Sequence, residues 1–191
     1  WCWGYFGGSI PKKINDLSNV KNIGSGYNSS CVVKNDKSVH CWGDGSYGKL
    51  GNGSTSSQTS PVQVSSLSNA DNLSLSSWHS CAVLDNGSAK CWGRNYYGTF
   101  GNGVSESESS VPVSANSITN IAEISSGYQS NCALSSSGSY SCWGRDGAGH
   151  QFGTTPPSYT SSGIIDLDCG DSHCCFVQVR SGSAWYESEK I

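Results

Sequence analysis

Charge is scarce in this chain of 191 residues: Asp, Glu, Lys and Arg make up 13% of it, and the net charge is −3. No run of Lys or Arg occurs, which excludes a nucleic-acid surface, because phosphate binding needs clustered cations. The same shortage argues against docking on anionic lipid. No apolar stretch approaches the roughly 20 residues that span a bilayer. We therefore expect a soluble protein with neither nucleic acid nor membrane insertion among its partners.

Methionine is absent even from position 1, which indicates a processed chain whose leader has been removed, or an excised fragment. A sustained helical period is missing as well, so helix should be nearly absent. Low charge with abundant Ser and Gly is compatible with disorder. Seven Trp, nine Tyr and regularly spaced cysteines indicate a folded chain instead.

The sequence has ten cysteines but lacks the C-x2-C knuckle of a zinc site, and its four His have no metal spacing. Disulfides are therefore favoured over metal, and they place the protein in an oxidising compartment, secreted or at the cell surface. No cofactor and no metal are predicted. Four N-x-S/T sequons are candidate glycosylation sites, a weak signal in a chain this rich in Asn and Ser. They are Asn28, Asn52, Asn72 and Asn86.

An internal repeat organises the chain. The triplet Cys-Trp-Gly recurs at Cys2, Cys41, Cys91 and Cys142, and an upstream cysteine recurs at Cys31, Cys81, Cys132 and, in a degraded copy, Cys175. We divide the single domain, 1–191, into four units of about 50 residues. Their bounds are 1–41, 42–91, 92–142 and 143–191. Short segments such as "PVQV", "VPV", "CAVL" and "SAKCW" are typical of strands, so the sequence predicts an all-β, propeller-like array or a β-solenoid.

Three of the repeats contain a hairpin with a cysteine in both arms. Counting inward from Cys81 and Cys91 leaves a three-residue loop that ends in Gly87, where positive φ costs nothing. Gly138 takes this position in the next copy and Lys37 in the first, where we expect a strained or altered turn. The register places the cysteines opposite each other and predicts the disulfides Cys31–Cys41, Cys81–Cys91 and Cys132–Cys142. The adjacent Trp42, Trp92 and Trp143 should point to the other face of the strand and pack on a neighbouring unit.

The unit "CWGxxxxGxLGNG…PVxV…HSCAVxxxGxxxCWG" resembles the repeat of the regulator-of-chromosome-condensation family over nearly the whole chain. The resemblance implies blades of a β-propeller, of which the family most often has seven. That family includes a nuclear guanine-nucleotide exchange factor for a small GTPase and secreted bacterial relatives, one of them a β-lactamase inhibitor. The paired cysteines make this chain similar to the secreted branch. The family's His is matched by His79 and His173 but replaced by Ser29 and Ser130, so we expect His79 to be structural.

The ends of the chain indicate how the array closes. The chain starts in the second half of one unit and stops after the first half of another, as a propeller requires when both termini complete its last blade. On this interpretation Cys2 bonds Cys175, and Cys169 pairs with Cys174 across a short loop. Alternatively, "SGSAWYESEK" (181–190) supplies the second arm of the last hairpin. Cys2 would then lack an internal partner and could bond another subunit, giving rings or filaments.

Reactive constellations are not evident. The segment "DLDCGDSH" (166–173) lacks the Gly and distal Glu of a calcium loop, and we interpret it as a polar turn before a strand. "GKLGNG" and "GTFGNG" have neither the Lys-Ser/Thr ending nor the following helix of a phosphate loop. Exposed aromatic residues in the variable turns are the candidate binding surface, with packing between blades as the competing interpretation. They are Tyr47, Tyr96, Tyr97 and Phe100.

The sequence thus predicts a non-catalytic extracellular binding or structural module, not an enzyme. Its role would be adhesion, inhibition of another protein, or assembly into an extracellular polymer, with a protein or glycan partner or self-association. The alternative is a lectin with one weak glycan site per blade, made multivalent by repetition. A guanine-nucleotide exchange role is disfavoured by the cysteines and the acidic charge balance.

Overall fold

A computed structural model describes residues 2–4, 8–15, 17–145, 149, 151–157, 163–171, 173–180 and 183–187. Regular structure in these residues consists of β-strands and two short 3₁₀ turns, Ser46–Gly48 and Tyr96–Gly98. The described part of the chain contains no helix with the length and apolar character needed to cross a membrane. The expected near-absence of helix is confirmed for these residues.

The strands form five antiparallel sheets, in each of which the strands lie side by side in chain order. The first sheet has two strands, β1 (Cys2–Gly4) and β2 (Gly8–Lys12). The second has β3 (Val20–Ser25), β4 (Ser29–Lys34), β5 (Val39–Gly43) and β6 (Gln58–Gln63). The third has β7 (Ala70–Leu75), β8 (His79–Leu84), β9 (Ala89–Asn95) and β10 (Ser107–Ser114). The fourth has β11 (Ile121–Ser126), β12 (Gln129–Ser135), β13 (Tyr140–Arg145) and β14 (Gln151–Gly153). The last has β15 (Ile164–Cys169), β16 (Cys174–Arg180) and β17 (Ser183–Glu187).

This arrangement is a row of propeller blades, so the predicted all-β, propeller-like fold is confirmed. The first strand of each successive sheet, β3, β7, β11 and β15, contacts the first strand of the next. These strands form the inner side of the array, and the later strands of each sheet lie farther out. The sheets are offset from the sequence repeats, since β3–β6 extends from 20 to 63 and takes strands from two units.

The hydrophobic core lies between consecutive sheets rather than within one of them. Three clusters of buried side chains fill the three gaps between the four sheets that follow β2. In the middle gap, Cys81, Cys91 and Phe100 from one side meet Ile124 and Trp143 from the next. Burial between faces explains why a chain with so few aliphatic residues folds: each sheet needs only a few apolar positions per face.

The hairpin between β8 and β9 has the predicted register. Cys81 lies opposite Cys91, and Val83 lies opposite Ala89. The turn residue Gly87 has φ 74°. In the first copy Lys37 keeps the same conformation, with φ 65°, so the turn is strained but not altered.

Four disulfides form, three across these hairpins and one within a short loop. In each of the three hairpin bonds the two Cα atoms are 4.1 Å apart, close to the separation of a directly opposed, non-hydrogen-bonded pair. The fourth bond joins Cys169 and Cys174. The bonds predicted for these positions are therefore present: Cys31–Cys41, Cys81–Cys91, Cys132–Cys142 and Cys169–Cys174.

The predicted Cys2–Cys175 bond is wrong for this structure, in which both residues are half-buried free thiols. The reason lies in strand pairing. Strand β16 pairs with β17 of the same chain end, whereas β1 pairs with β2. The alternative in which 181–190 supplies the second arm is thus the one observed, over Ser183–Glu187. No ladder joins the first sheet to the last among the described residues.

Two tryptophan side chains, Trp92 and Trp143, connect the third and fourth sheets to the sheet before each of them, as predicted. The Trp92 Nε1 donates to the Lys49 carbonyl oxygen at 3.0 Å, and the Trp143 Nε1 donates to the Thr99 carbonyl oxygen at 2.9 Å. Each carbonyl accepts a second bond from the next sheet, from Ser80 Oγ and Asn131 Nδ2 respectively. Both tryptophans are fully buried, so these bonds fix the angle between neighbouring blades.

Candidate functional site

One end of the sheets collects aromatic side chains from two kinds of loop. The loops that enter β4, β8 and β12 contribute Tyr27, Trp78 and Tyr128; Tyr27 and Tyr128 hold the same position of the turn, and Trp78 holds the next one. The 3₁₀ turns that follow β5 and β9 contribute Tyr47, Tyr96 and Tyr97 at the same end, because Ser29 pairs with Gly43 and His79 with Gly93. We call these six residues the aromatic face.

The rings of the aromatic face touch across blade boundaries. Tyr47 meets Trp78 edge-on with ring centroids 5.5 Å apart, and Trp78 meets Tyr128 edge-on at 6.0 Å. These three residues come from three successive sheets. The geometry is the edge-to-face arrangement that the ring quadrupole favours. A continuous aromatic surface therefore runs over the boundaries between the second, third and fourth sheets.

Arg94, at the outer end of β9, lies at the centre of this surface. Its guanidinium carbon is 3.7 Å from the Tyr96 ring centroid, 4.6 Å from that of Tyr47 and 5.3 Å from that of Trp78. Arg145 repeats part of the arrangement one unit later, 4.6 Å over the Tyr97 ring. In each case the arginine of one unit stacks on the tyrosine of the preceding turn, which ties the blades together by cation–π attraction.

Two of the tyrosines adopt a strained backbone conformation. Tyr47 has φ 61° and Tyr97 has φ 57°, in the left-handed region that a bulky residue seldom occupies. Such conformations persist only where the surroundings hold them, and they cluster at functional sites. Here the strain turns each phenol ring under the arginine of the next unit.

The Arg94 guanidinium has no charged partner in the described part of the chain. No ion pair there includes it, and its Nε is buried without a hydrogen bond. At the equivalent position of the preceding unit, Asp44 pairs with Lys49 at 2.7 Å. Burial alone would raise the pKa of Asp44, but hydrogen bonds from Lys49 and Ser46 hold that pKa at about 2. One unit thus satisfies its charge internally, and the next does not.

A small cavity of about 60 Å³ opens beside Arg94. It lies between the third and fourth sheets, and its lining includes Trp78, His79, Arg94, Tyr96, Thr99 and Tyr128. No Asp or Glu lines it. The cavity is a concave feature of the aromatic face.

His79 lines this cavity, and both of its ring nitrogens already have a hydrogen-bond partner. Its Nδ1 lies 2.8 Å from Ser76 Oγ and its Nε2 lies 3.0 Å from Asn131 Oδ1. Burial lowers the pKa of His79 to about 4, despite the opposing hydrogen bond to Asn131. The imidazole is therefore neutral at physiological pH and links two blades, which agrees with the structural role expected for it.

A second opening, the inner channel, runs along the first strands of the sheets. It measures about 300 Å³ and is lined by Asn72, Glu123, Ser126, Asp168 and other residues of these strands. Burial, with the neighbouring charges of Asp166 and Asp168, raises the pKa of Glu123. Asp166 and Asp168 lie within β15, so the segment interpreted as a polar turn is half strand. In the described residues, the one group with metal-ligand spacing is Cys132, Cys169 and Cys174, and disulfides already occupy its sulfurs.

Three of the four predicted surface aromatics, Tyr47, Tyr96 and Tyr97, do come together at this face. Phe100 was wrongly predicted to belong with them: it is 1% exposed and packs in the core between two sheets. Its position matches Leu50, which is buried in the same way. Sequence reasoning missed Tyr27, Trp78, Tyr128 and Arg94. The recurrence of the three aromatic residues was visible, since each precedes the first strand of its hairpin by one or two positions.

The predicted glycosylation sites lie in unlike surroundings. Asn86 is exposed in the turn between β8 and β9, and its Oδ1 accepts from the Ser88 backbone and hydroxyl groups. Asn72 lines the inner channel and bonds Asn22 of the preceding sheet. Asn28 and Asn52 are half-buried. Glycosylation stays a prediction, for which Asn86 offers the most accessible side chain.

Family comparison gives two matches over the central part of the chain. The model of the regulator of chromosome condensation (RCC1) repeat matches residues 36–83 and 86–134, and a second model of that repeat matches 20–49 and 71–99. No curated protein matches the chain.

Several solved structures share the fold. Human WBSCR16 superposes with a TM-score of 0.76 at 16% identity, over 87% of this chain and 47% of that one. Prp20p from Saccharomyces cerevisiae gives 0.71 at 18%, over 87% and 45%. The ectodomain of the Physcomitrella patens receptor kinase CR4 gives 0.57 at 18%, over 88% and 40%. This chain thus spans less than half the length of each of these three structures, and identities this low establish the fold alone.

Proposed function

The chain belongs to the regulator of chromosome condensation (RCC1) repeat family, and from that premise we propose that it is a non-catalytic binding module for another protein. The binding surface is the aromatic face. The observation that carries this proposal is the edge-to-face chain of Tyr47, Trp78 and Tyr128 across three sheets, with Arg94 stacked on the first two of these rings. Trp, Tyr and Arg are the residue types that dominate binding energy at protein interfaces.

Relatives with the same fold support a protein partner. The structure of Prp20p was described together with its binding to Gsp1p and histones. We extend protein binding, but neither of those partners, to this chain. Nucleotide exchange is disfavoured because the chain carries four disulfides, which persist in oxidising compartments rather than in the nucleus.

An extracellular location completes the proposal. Four disulfides support secretion or display at the cell surface. The CR4 structure with a similar fold is that of a receptor-kinase ectodomain. Each hairpin disulfide contributes about 2–3 kcal/mol by restricting the unfolded chain. A domain with so thin a core depends on that contribution, so the fold suits a compartment in which thiols stay oxidised.

A non-catalytic role agrees with the chemistry of the aromatic face. A general base must be free to accept a proton from a bound substrate. His79 has both ring nitrogens engaged, and Arg94 is held by three rings. These groups can recognise a ligand, but they do not form a nucleophile–base pair.

The test is selection of peptides on the immobilised, oxidised chain, followed by affinity measurement on variants. Trp78→Ala and Tyr128→Ala should each weaken the selected peptides about 10-fold or more, as truncation of an interface anchor does. Val20→Ala is the matched control, because Val20 is also an exposed apolar side chain but lies at the opposite end of its sheet from Tyr27. Equal losses in all three variants would contradict the proposal.

Glycan recognition is the second candidate, favoured by one specific observation. Tyr27 and Tyr128 recur at matching positions, Trp78 lies one position farther along in the unit between them, and Tyr27 is 79% exposed with a ring open to solvent. A lectin with several weak sites needs such a repeated aromatic. A glycan array probed with the oxidised chain, alongside Tyr27→Ala and Tyr128→Ala, would favour the lectin if the signal fell in steps with each substitution.

A further inference from the structure

We propose that the cavity beside Arg94 receives a carboxylate from an acidic segment of the partner protein. This inference rests on the proposed function and names the chemistry of its anchor. The elements of the site are an unpaired guanidinium, a cavity of restricted size and a wall without negative charge.

The guanidinium of Arg94 is held ready for an anion. Arginine carries five N–H donors in a planar fork, yet the described residues supply Arg94 with ring faces and no acceptor for its side chain. Leaving a buried donor unbonded is unfavourable. A ligand carboxylate would satisfy the fork with two parallel hydrogen bonds, the geometry in which arginine binds carboxylates most strongly.

The preceding unit shows what a completed version of this position looks like. There Asp44 occupies the place of Arg94, and Lys49 occupies the place of Thr99. The two form an ion pair at 2.7 Å inside the protein. In the next unit both partners have changed: the cation Arg94 remains, and although Glu108 lies opposite it in the β9–β10 ladder, no ion pair joins Arg94 to a carboxylate in the described residues. The ligand supplies the carboxylate that Asp44 supplies in the preceding unit.

The size of the cavity limits what enters it. A cavity of about 60 Å³ is small, and a carboxylate, with three non-hydrogen atoms, suits it better than a whole sugar ring. The faces of Tyr96, Tyr47 and Trp78 are turned to Arg94, so they are not free to stack on a sugar. These observations favour the side chain of Asp or Glu over an acidic glycan.

The residues that line the cavity do not repel a negative charge. No Asp or Glu lines it, and His79 at its floor is neutral and bonded on both sides. Thr99 donates its hydroxyl to the Arg94 carbonyl oxygen at 3.0 Å, which fixes the strand below the guanidinium. The site is therefore rigid before the ligand arrives, which reduces the entropy lost on binding.

The experiment begins with a library of random dodecapeptides displayed against the oxidised chain. We expect Asp and Glu to be enriched at one position of the selected peptides. The best peptide is then synthesised with that residue and with its amide counterpart, Asn or Gln. The amide peptide should bind about 10- to 100-fold more weakly, the loss expected for a charge-assisted hydrogen bond.

Protein variants test whether Arg94 is the group that binds the ligand carboxylate. Arg94→Gln should cause the same loss as the amide peptide, and the two changes together should cause little more than either alone. Arg94→Lys keeps the positive charge but not the planar pair of N–H donors, so its affinity for the peptide should lie between those of the wild type and Arg94→Gln. Lys90→Gln is the matched control, since it removes one positive charge from the same strand, away from the aromatic face. Near-ultraviolet circular dichroism of each variant shows whether the fold is kept.

The outcomes separate this inference from the proposed function. Peptides without acidic preference that still require Trp78 would overturn the carboxylate anchor and leave the binding module standing. Absence of any enriched peptide would count against both. Binding of oligogalacturonate that depends on Arg94, with no peptide binding, would overturn the choice of a protein ligand.

Discussion

His79 is the residue whose protonation matters most to the fold. Its folded-state pKa of about 4 lies below the value near 6.5 of an unfolded chain. As the pH falls below 6.5, the unfolded chain therefore takes up a proton at this position while the folded chain does not. The free energy of unfolding should drop by about 3 kcal/mol between pH 7 and pH 4, and further acid should add little at this site.

Urea unfolding at pH 7 and pH 4, for the wild type and for His79→Gln, measures this contribution. Glutamine is neutral throughout, so the variant should lose less stability on acidification than the wild type. His40, whose pKa burial also lowers, is present in both proteins and its effect cancels. Equal pH dependence in the two would show that His79 is protonated in the folded protein and that its bonds are not as described.

Other single residues show the limits of reading side chains from sequence. Lys37 takes φ 65° where the other copies use glycine, and its Nζ reaches Asp85 of the next unit at 3.0 Å. That cross-unit partner is invisible in the sequence. The same exchange at Gly87 would be more crowded, because a Cβ there would lie 3.0 Å from the Asn120 backbone. Phe100 was misjudged for a related reason: its neighbours sit about 20 to 40 residues away in the next sheet.

At the scale of elements, the joint between two sheets is a carbonyl oxygen that accepts two bonds. Trp143→Phe removes one of them, the 2.9 Å bond to Thr99, in a fully buried position. Trp42→Phe is the matched control: Trp42 is also buried but makes no hydrogen bond from its ring in the described part of the chain. Trp143→Phe should therefore destabilise by about 1 kcal/mol more than Trp42→Phe, the net value of one hydrogen bond.

Chemical denaturation of the two variants gives this difference directly. The denaturant slope should stay constant, because neither change alters the surface exposed on unfolding. A larger loss for Trp42→Phe would mean that packing, rather than the hydrogen bond, makes the joint between blades.

The hairpins could be predicted because their determinants are local. Cysteines ten apart, a three-residue turn and alternating side chains fix the register of β8 and β9 within 15 residues. The first strand of each sheet was not identified from the sequence. In "ADNLSL" apolar and polar residues do alternate, but Asp, Asn and Ser occupy the less buried positions, and these residue types are uncommon in strands. Such a strand depends on its neighbour for pairing. The aromatic face was found in part, through Tyr47, Tyr96 and Tyr97, because bringing in Trp78 and Arg94 requires knowing which blades adjoin.

At the scale of the whole molecule, the fold is a series of similar joints, and its stability is close to a sum over blades and their interfaces. Each gap between sheets contains a disulfide from the earlier sheet and apolar residues from the later one. In the last gap, Cys132 and Cys174 of two different disulfides approach to 3.4 Å. Among the described residues no strand ladder joins the first sheet to the last, because β16 pairs with β17.

Thiol counting tests that arrangement. The structure has four disulfides and free thiols at Cys2 and Cys175, so the unreduced, denatured chain should bind two equivalents of a thiol reagent. Peptide mapping should find the label on these two cysteines alone, since the other eight are bonded in pairs close in sequence. Sedimentation of the same sample without reductant provides the control for assembly. A Cys2–Cys175 peptide in a monomer would restore closure of the ring by the termini, and the same peptide confined to oligomers would identify a head-to-tail chain of subunits.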